Sequence, residues 1–282
     1  MADATPTDTA AIDRATHPDA HRLAPLPPHR PGQHRPGRIT PFTYVRTAAW
    51  YVHIGIATVL IGIWGAYISR RDGYLGAHRT CDVWSGHLLA AARWYLGLTY
   101  EVRGTPPIGN CLIGAKHQSF FDILIISRHV PRRCFVMKKQ ILNVPILGWF
   151  AMKAGCIPID RSKGHEAMAL MLVEARAMQE ARGIGQLITY PEGTRTRPGE
   201  KRKYKYGIAG LYEALALPCV PAATNIGLFW NKKGMPIRSG HGVVEFLPAI
   251  EPGLTAVEML AHLEQTVEAR SDALMAEAGF VA

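Results

Sequence analysis

The sequence predicts an α/β layered domain with an N-terminal membrane-embedded helical element. Two observations carry this. From about residue 105 onward, short apolar runs alternate with helical stretches, the pattern of helices layered on a sheet. Ahead of them, Thr47 to Ile68 is a run of 22 residues without a formal charge. With 282 residues there is room for one large domain and an appendage, not for two independent catalytic domains.

In chain order, residues 1–38 are rich in Pro and His ("HRLAPLPPHRPGQHRPGR") and show no hydrophobic periodicity, so a disordered tail is expected. A secretory signal is not expected, because the first apolar run begins late and follows a charged, Pro-rich stretch. That places the protein on the cytoplasmic side.

Residues 39–98 are read as membrane-associated helices. As a helix, Thr47–Ile68 would reach roughly 33 Å, about the hydrocarbon thickness of a bilayer. His53 and three glycines dilute the run, which leaves a buried core helix as the alternative. Arg46 on one flank and Arg70 and Arg71 on the other give no orientation by the positive-inside rule. Val83–Leu98 carries Trp84, Trp94 and Tyr95 among aliphatics, with His87 and Arg93 as a polar edge, and suits an interfacial helix or one returning from the membrane.

Residues 99–282 are read as the αβ domain. Strands are expected at "CLIGA", "CFVM", "CIPI", "QLITY", "CVPAA" and "GVVEFL", with helices near 120–128, 145–154, 164–182, 207–216 and 255–277. Lys and Arg outnumber Asp and Glu by 32 to 22, which suits an anionic partner: nucleic acid, a membrane surface or a phosphorylated substrate. The five cysteines are an odd number, widely spaced and without C-x-x-C, and read as buried free thiols. The P-loop, a complete G-x-G-x-x-G, G-x-S-x-G and H-E-x-x-H are all absent, so ATP hydrolysis, nicotinamide chemistry and serine esterase chemistry lose their usual sequence support.

Three constellations can carry chemistry. In "AKHQSFFDILIIS", His117 follows a strand and Asp122 falls near the start of the next helix. Five residues along one helix lie about 140° apart, so the two meet only if His117 sits in the turn before it. The carboxylate then fixes the imidazole tautomer and leaves the other nitrogen as a general base. In "GCIPIDRSKG" a strand delivers Asp160 and Arg161 to its end, where open α/β sheets bind ligands; Arg161 either holds a phosphate or pairs with Asp160. In "LITYPEGTRTRPGEKRKYKYG", Gly193 admits close approach of a ligand, and Glu192 is positioned to orient Arg195 and its neighbours as anion ligands. A basic loop for RNA or lipid headgroups is the competing reading, since "KYKY" interleaves aromatics with charge.

In order, "KHQSFFD", "GCIPIDRS", "YPEGTRTRPGEK" and "LPCVPAATNIGLFW" resemble the four motif blocks of the glycerolipid acyltransferase family, bacterial 1-acyl-sn-glycerol-3-phosphate acyltransferases in particular. The match covers about residues 85–277. The resemblance implies an αβ acyltransferase domain on a membrane element at the cytoplasmic face of the inner membrane. It also implies transfer of an acyl chain from acyl-CoA or acyl carrier protein to the sn-2 hydroxyl of lysophosphatidic acid, in phospholipid biosynthesis. His117 would then be the base and Asp122 its partner. Arg161, Glu192, Gly193, Thr194, Arg195 and Lys205 would bind substrate, and Pro221 matches the proline of the fourth block. Nearby N–H donors would stabilise the oxyanion, and neither a metal, a bound cofactor nor a nucleic acid is implied. Two departures stand out: Lys116 occupies a position where many members have Asn, and "CIPIDR" replaces an aromatic-containing block. Glycerol 3-phosphate or another lysolipid remains the alternative acceptor, and a non-catalytic anionic-lipid or RNA binder the alternative outside enzymes.

Overall fold

The computed structural model describes residues 34–281; the tail expected over 1–38 therefore lies mostly outside the described residues. Where the chain becomes describable it is already tied down, since the N–H of Gly37 donates to the Ser239 carbonyl at 2.9 Å.

Seven strands form one sheet in the order β1-β7-β6-β2-β5-β3-β4. They are β1 (Leu98–Arg103), β2 (Cys111–Ala115), β3 (Arg133–Lys138), β4 (Ile157–Ile159), β5 (Gln186–Thr189), β6 (Cys219–Thr224) and β7 (Gly240–Phe246). Every neighbouring pair is parallel except β6 with β7, so β1 and β7 run against the other five. β2, β5 and β6 are buried along their whole length, which explains why they read as continuous apolar runs without alternation.

Helices cover both faces. On one face α4 (Gly164–Arg182), α5 (Gly207–Leu215) and α6 (Ala256–Glu277) pack through Met171, Ile208, Leu211, Met259 and Leu263 against Leu112 and Leu187. α6 starts at a capping box: Thr255 Oγ1 accepts the Glu258 N–H, and the Glu258 carboxylate accepts the Thr255 N–H at 2.9 Å. On the other face lie α2 (Phe121–His129) and the N-terminal helix α1 (Pro41–Leu96), with α3 (Leu147–Lys153) beside them.

α1 breaks at Gly73, whose φ of 59° is left-handed, and folds into a hairpin with an outer arm, 41–72, and a return arm, 74–96. The expected helix at 47–68 is the centre of the outer arm, and the expected segment 83–98 is the second half of the return arm. The polar stretch between them is helical because its charges are used: Asp72 pairs with Arg71 and Arg79, and Asp82 with the buried Arg133. Trp84 Nε1 donates to Thr58 at 2.9 Å, and His53 meets His87 at 3.0 Å, so the histidine that dilutes the apolar run joins the two arms. Gly65 has the same use, since a Cβ there would collide with Thr80.

The return arm buries Leu88, Leu89, Ala92 and Leu96 against Phe121, Leu124 and Trp230. The outer arm leaves Phe42, Val52, Ile56, Leu60, Ile63 and Tyr67 on the surface, each about 60% exposed or more. α1 is long and apolar enough to cross a membrane, yet only 22% of its most apolar window is buried within the protein. All five cysteines are free thiols, four of them buried.

Candidate active site

β2, β5, β3 and β4 end on the same edge of the sheet, and their next residues build the site. His117 leaves β2 in the turn before α2, and Asp122 lies in the first turn of that helix. Asp122 Oδ1 accepts from His117 Nδ1 at 3.0 Å; Oδ2 accepts the backbone N–H groups of Gln118 at 2.9 Å and Ser119 at 2.7 Å. A carboxylate only accepts, so Nδ1 carries the proton and Nε2 is the nitrogen left with a lone pair. The Asp122 side chain is 1% exposed and that of His117 14%, which keeps the imidazole reachable while its partner is sealed.

Tyr190, the first residue after β5, stacks on the imidazole with centroids 4.0 Å apart and planes 23° from parallel. Burial and the neighbouring Asp122 carboxylate push its hydroxyl well above the ordinary phenol range, so it stays protonated. Tyr190 was not among the residues expected to form the site. Its signal in the sequence is its place at a strand end, next to the strand that delivers His117.

Glu192 lines neither of the cavities described below, and its partners are His117, Thr196 and Lys116, not Arg195. Its side chain is sealed from solvent, and both oxygens are used internally: Oε2 accepts the His117 N–H at 2.8 Å, while Oε1 accepts from Thr196 at 2.9 Å and pairs with Lys116 at 2.7 Å. Burial pushes Glu192 above the usual carboxylate range, and Lys116 pulls against that shift.

Arg161 follows β4, half-buried. Asp160 does not pair with it, because the Asp160 carboxylate accepts from the Ser162 N–H at 3.1 Å and the Ser162 hydroxyl at 2.6 Å. Among the described residues Arg161 has no ion-pair partner, and burial alone lowers its pKa from the ordinary arginine value. It faces a cavity of about 500 Å³ with Lys138, Gln140, Ser162 and Gly193. A second cavity of about 460 Å³ shares Arg161 and Gly193, then continues along Val136, Ile159, Met168, Met171 and Ile208. Tyr190 and Lys205 also line this second cavity, and the Lys205 side chain lies over Gly193.

The structure thus brings Arg161, Gly193 and Lys205 together around one opening, which neither His117 nor Asp122 lines and which meets that pair through Tyr190, the ring stacked on the imidazole. Thr194 and Arg195 follow Gly193 in the same turn, half-buried, and line neither cavity. Lys138, at the end of β3, joins Arg161 and was missed because "VMKKQ" carries no motif. A base with a free nitrogen beside a cationic opening and an apolar groove can activate a hydroxyl on an amphipathic, anionic molecule.

Known proteins resemble this chain in sequence and in fold. Residues 99–225 match the family described as Acyltransferase. The chain is 28% identical over 236 residues to a 1-acyl-sn-glycerol-3-phosphate acyltransferase of Pseudomonas aeruginosa, covering 83% of this chain and 91% of that one. It is 27% identical over 234 residues to the 1-acyl-sn-glycerol-3-phosphate acyltransferase of Cocos nucifera, covering 80% and 73%. The fold is that of the 1-acyl-sn-glycerophosphate acyltransferase of Thermotoga maritima, with a TM-score of 0.66 at 18% identity over 82% of this chain and 95% of that one.

Proposed function

We propose that this chain, whose residues 99–225 are an acyltransferase-family domain, transfers a fatty acyl group from acyl-CoA or acyl carrier protein to the sn-2 hydroxyl of 1-acyl-sn-glycerol 3-phosphate. The product is phosphatidic acid. The observation that carries this reading is a His–Asp pair with a free imidazole nitrogen at the same strand ends as a half-buried arginine that has no ion-pair partner among the described residues. A cation held in that way is completed by an anionic ligand, and two oxygens of a phosphate match the planar fork of a guanidinium.

In this reading His117 Nε2 takes the proton of the acceptor hydroxyl as its oxygen attacks the thioester carbonyl. Asp122 stabilises the imidazolium that forms. The tetrahedral intermediate then expels the thiolate, which regains a proton from the imidazolium, leaving ester and thiol. Arg161 and Lys205 hold the phosphate, so its distance from the reacting hydroxyl sets which hydroxyl is acylated. The apolar groove beyond them suits an acyl chain.

The outer arm of α1 carries the apolar surface that would enter the membrane. The outer arm also packs along the domain, from Trp50 against Trp230 at one end to Gly65 against Phe150 further along, which favours embedding in one leaflet over spanning. The catalytic domain would then face the cytoplasm at the inner membrane.

The test is detergent-solubilised protein incubated with acyl-CoA or acyl carrier protein thioester and a panel of acceptors, with products identified by mass. Phosphatidic acid from lysophosphatidic acid is the expected result. Preferential acylation of glycerol 3-phosphate, or no acylated product, would overturn the assignment.

A further inference from the structure

We propose that Lys116 is a positioning residue for the reaction proposed above, acting on His117 through Glu192. Lys116 has a side chain 2% exposed and stands immediately before His117. Its Nζ lies 2.7 Å from Glu192 Oε1 and 2.7 and 2.9 Å from the two oxygens of Glu268 on α6. Tyr204 donates its hydroxyl to the same Glu268 at 3.1 Å. A cation and two carboxylates are therefore closed inside the protein next to the reacting imidazole, and none of the three faces either cavity.

The chain of contacts runs to the backbone of His117 from both sides. Glu192 Oε2 accepts the His117 N–H at 2.8 Å. Its other oxygen accepts from Thr196, whose own N–H donates to the His117 carbonyl at 2.8 Å. The peptide groups flanking the imidazole are thus fixed by one carboxylate, directly and through one threonine. That carboxylate accepts these donors in this geometry because Lys116 balances its charge. Without the ammonium, Glu192 and Glu268 are two buried carboxylates with no cation between them, and one must take up a proton or turn away. A Glu192 side chain that turns away deprives the His117 N–H of its acceptor, and Asp122, which fixes the ring, cannot restore it.

Lys116 touches no substrate in this arrangement, so its loss acts on the chemical step and spares acceptor binding. The experiment uses full-length, detergent-solubilised enzyme with acyl-CoA and lysophosphatidic acid, initial rates over a range of acceptor concentrations, and a thermal melt of each variant. Lys116→Met is expected to lower kcat by about 10 to 100-fold with acceptor KM unchanged, because small misplacements of a reacting group cost on that order. Adding Glu192→Gln to it is expected to return most of the lost kcat, since the glutamine carbonyl still accepts the His117 N–H and one buried carboxylate, Glu268, is left where Lys116→Met alone leaves two. If Lys116→Met alone does not fold, the double variant carries the test: folded and within about tenfold of wild-type kcat supports the proposal. A Lys116→Met enzyme with wild-type kcat overturns it, as does a folded double variant with no recovered activity, or a loss that only tracks the unfolded fraction in the melts. An active wild type with an unaffected variant removes this inference alone; a wild type that transfers no acyl group removes the proposed function and this inference together.

Discussion

The turn that carries His117 and the opening around Arg161 lie at the same strand ends but use charge in opposite ways. In the turn, Asp122 collects an imidazole and two backbone N–H groups, and Glu192 collects a backbone N–H, a hydroxyl and an ammonium. At the opening, Arg161 has no ion-pair partner among the described residues, and Lys205 is an exposed residue whose side chain lies over Gly193. The first region is complete without a ligand and the second is not. That is the division the proposed transfer would use, with a base held in place before the substrate arrives and a proposed headgroup site that leaves its last bonds for the substrate to make.

Three substitutions test the contrast, from the largest effect to the smallest. His117→Ala removes the proposed base from a turn whose backbone is held independently of the ring. The fold should melt as wild type while acyl transfer falls by about 10² to 10⁴-fold. Substantial turnover in a folded His117→Ala enzyme would show that the turn is only structural. Arg161→Ala should weaken use of lysophosphatidic acid by about 10 to 100-fold, through acceptor KM, since a charge-assisted contact contributes about 1.5–3 kcal/mol. An acceptor lacking the phosphate should be poor with wild type and lose little more with the variant; equal losses on both acceptors would place Arg161 in the fold or at the donor.

The smallest effect is expected away from both regions. Burial pushes the thiols of Cys156 and Cys219 up to about 12, so the neutral form persists through neutral and mildly alkaline pH. At pH 8 the thiolate is then on the order of 10⁻⁴ of the total, too little to serve as a nucleophile. Cys156→Ala and Cys219→Ala should keep the rate per folded enzyme within about twofold, and an acyl group trapped on either cysteine during turnover would reverse the mechanism.

Much of this contrast is legible in the sequence because its parts are local. His117 and Asp122 are five positions apart beside a helix start, and each strand expected from an apolar run occurs in the sheet, shifted by a residue or two at its ends. The misses are long-range or masked by a neighbour. Lys116 finds Glu268 across 152 residues, which no spacing rule contains. β1 was not expected, although Leu98, Tyr100 and Val102 alternate with polar residues; the helical reading of 83–98 ran into its first residue. The return arm begins at 74 instead of 83 because its polar first turns are neutralised by tertiary partners, Asp82 by Arg133 above all.

Arg133 also fixes what the hairpin is. Buried to 1% exposure, it donates to the carbonyls of Ser127 and Val130 in its own domain and to that of His78 in the return arm, and it pairs with Asp82. Cutting the chain near Gly97 would strip the last two partners from a sealed guanidinium and uncover Phe121 and Leu124. The α1 hairpin is therefore the outer wall of the enzyme's own core, and proteolysis there would release an unfolding fragment instead of a free catalyst. A water-soluble form would have to keep the hairpin and carry polar residues at Val52, Ile56, Leu60 and Ile63, repainting the wall without removing it.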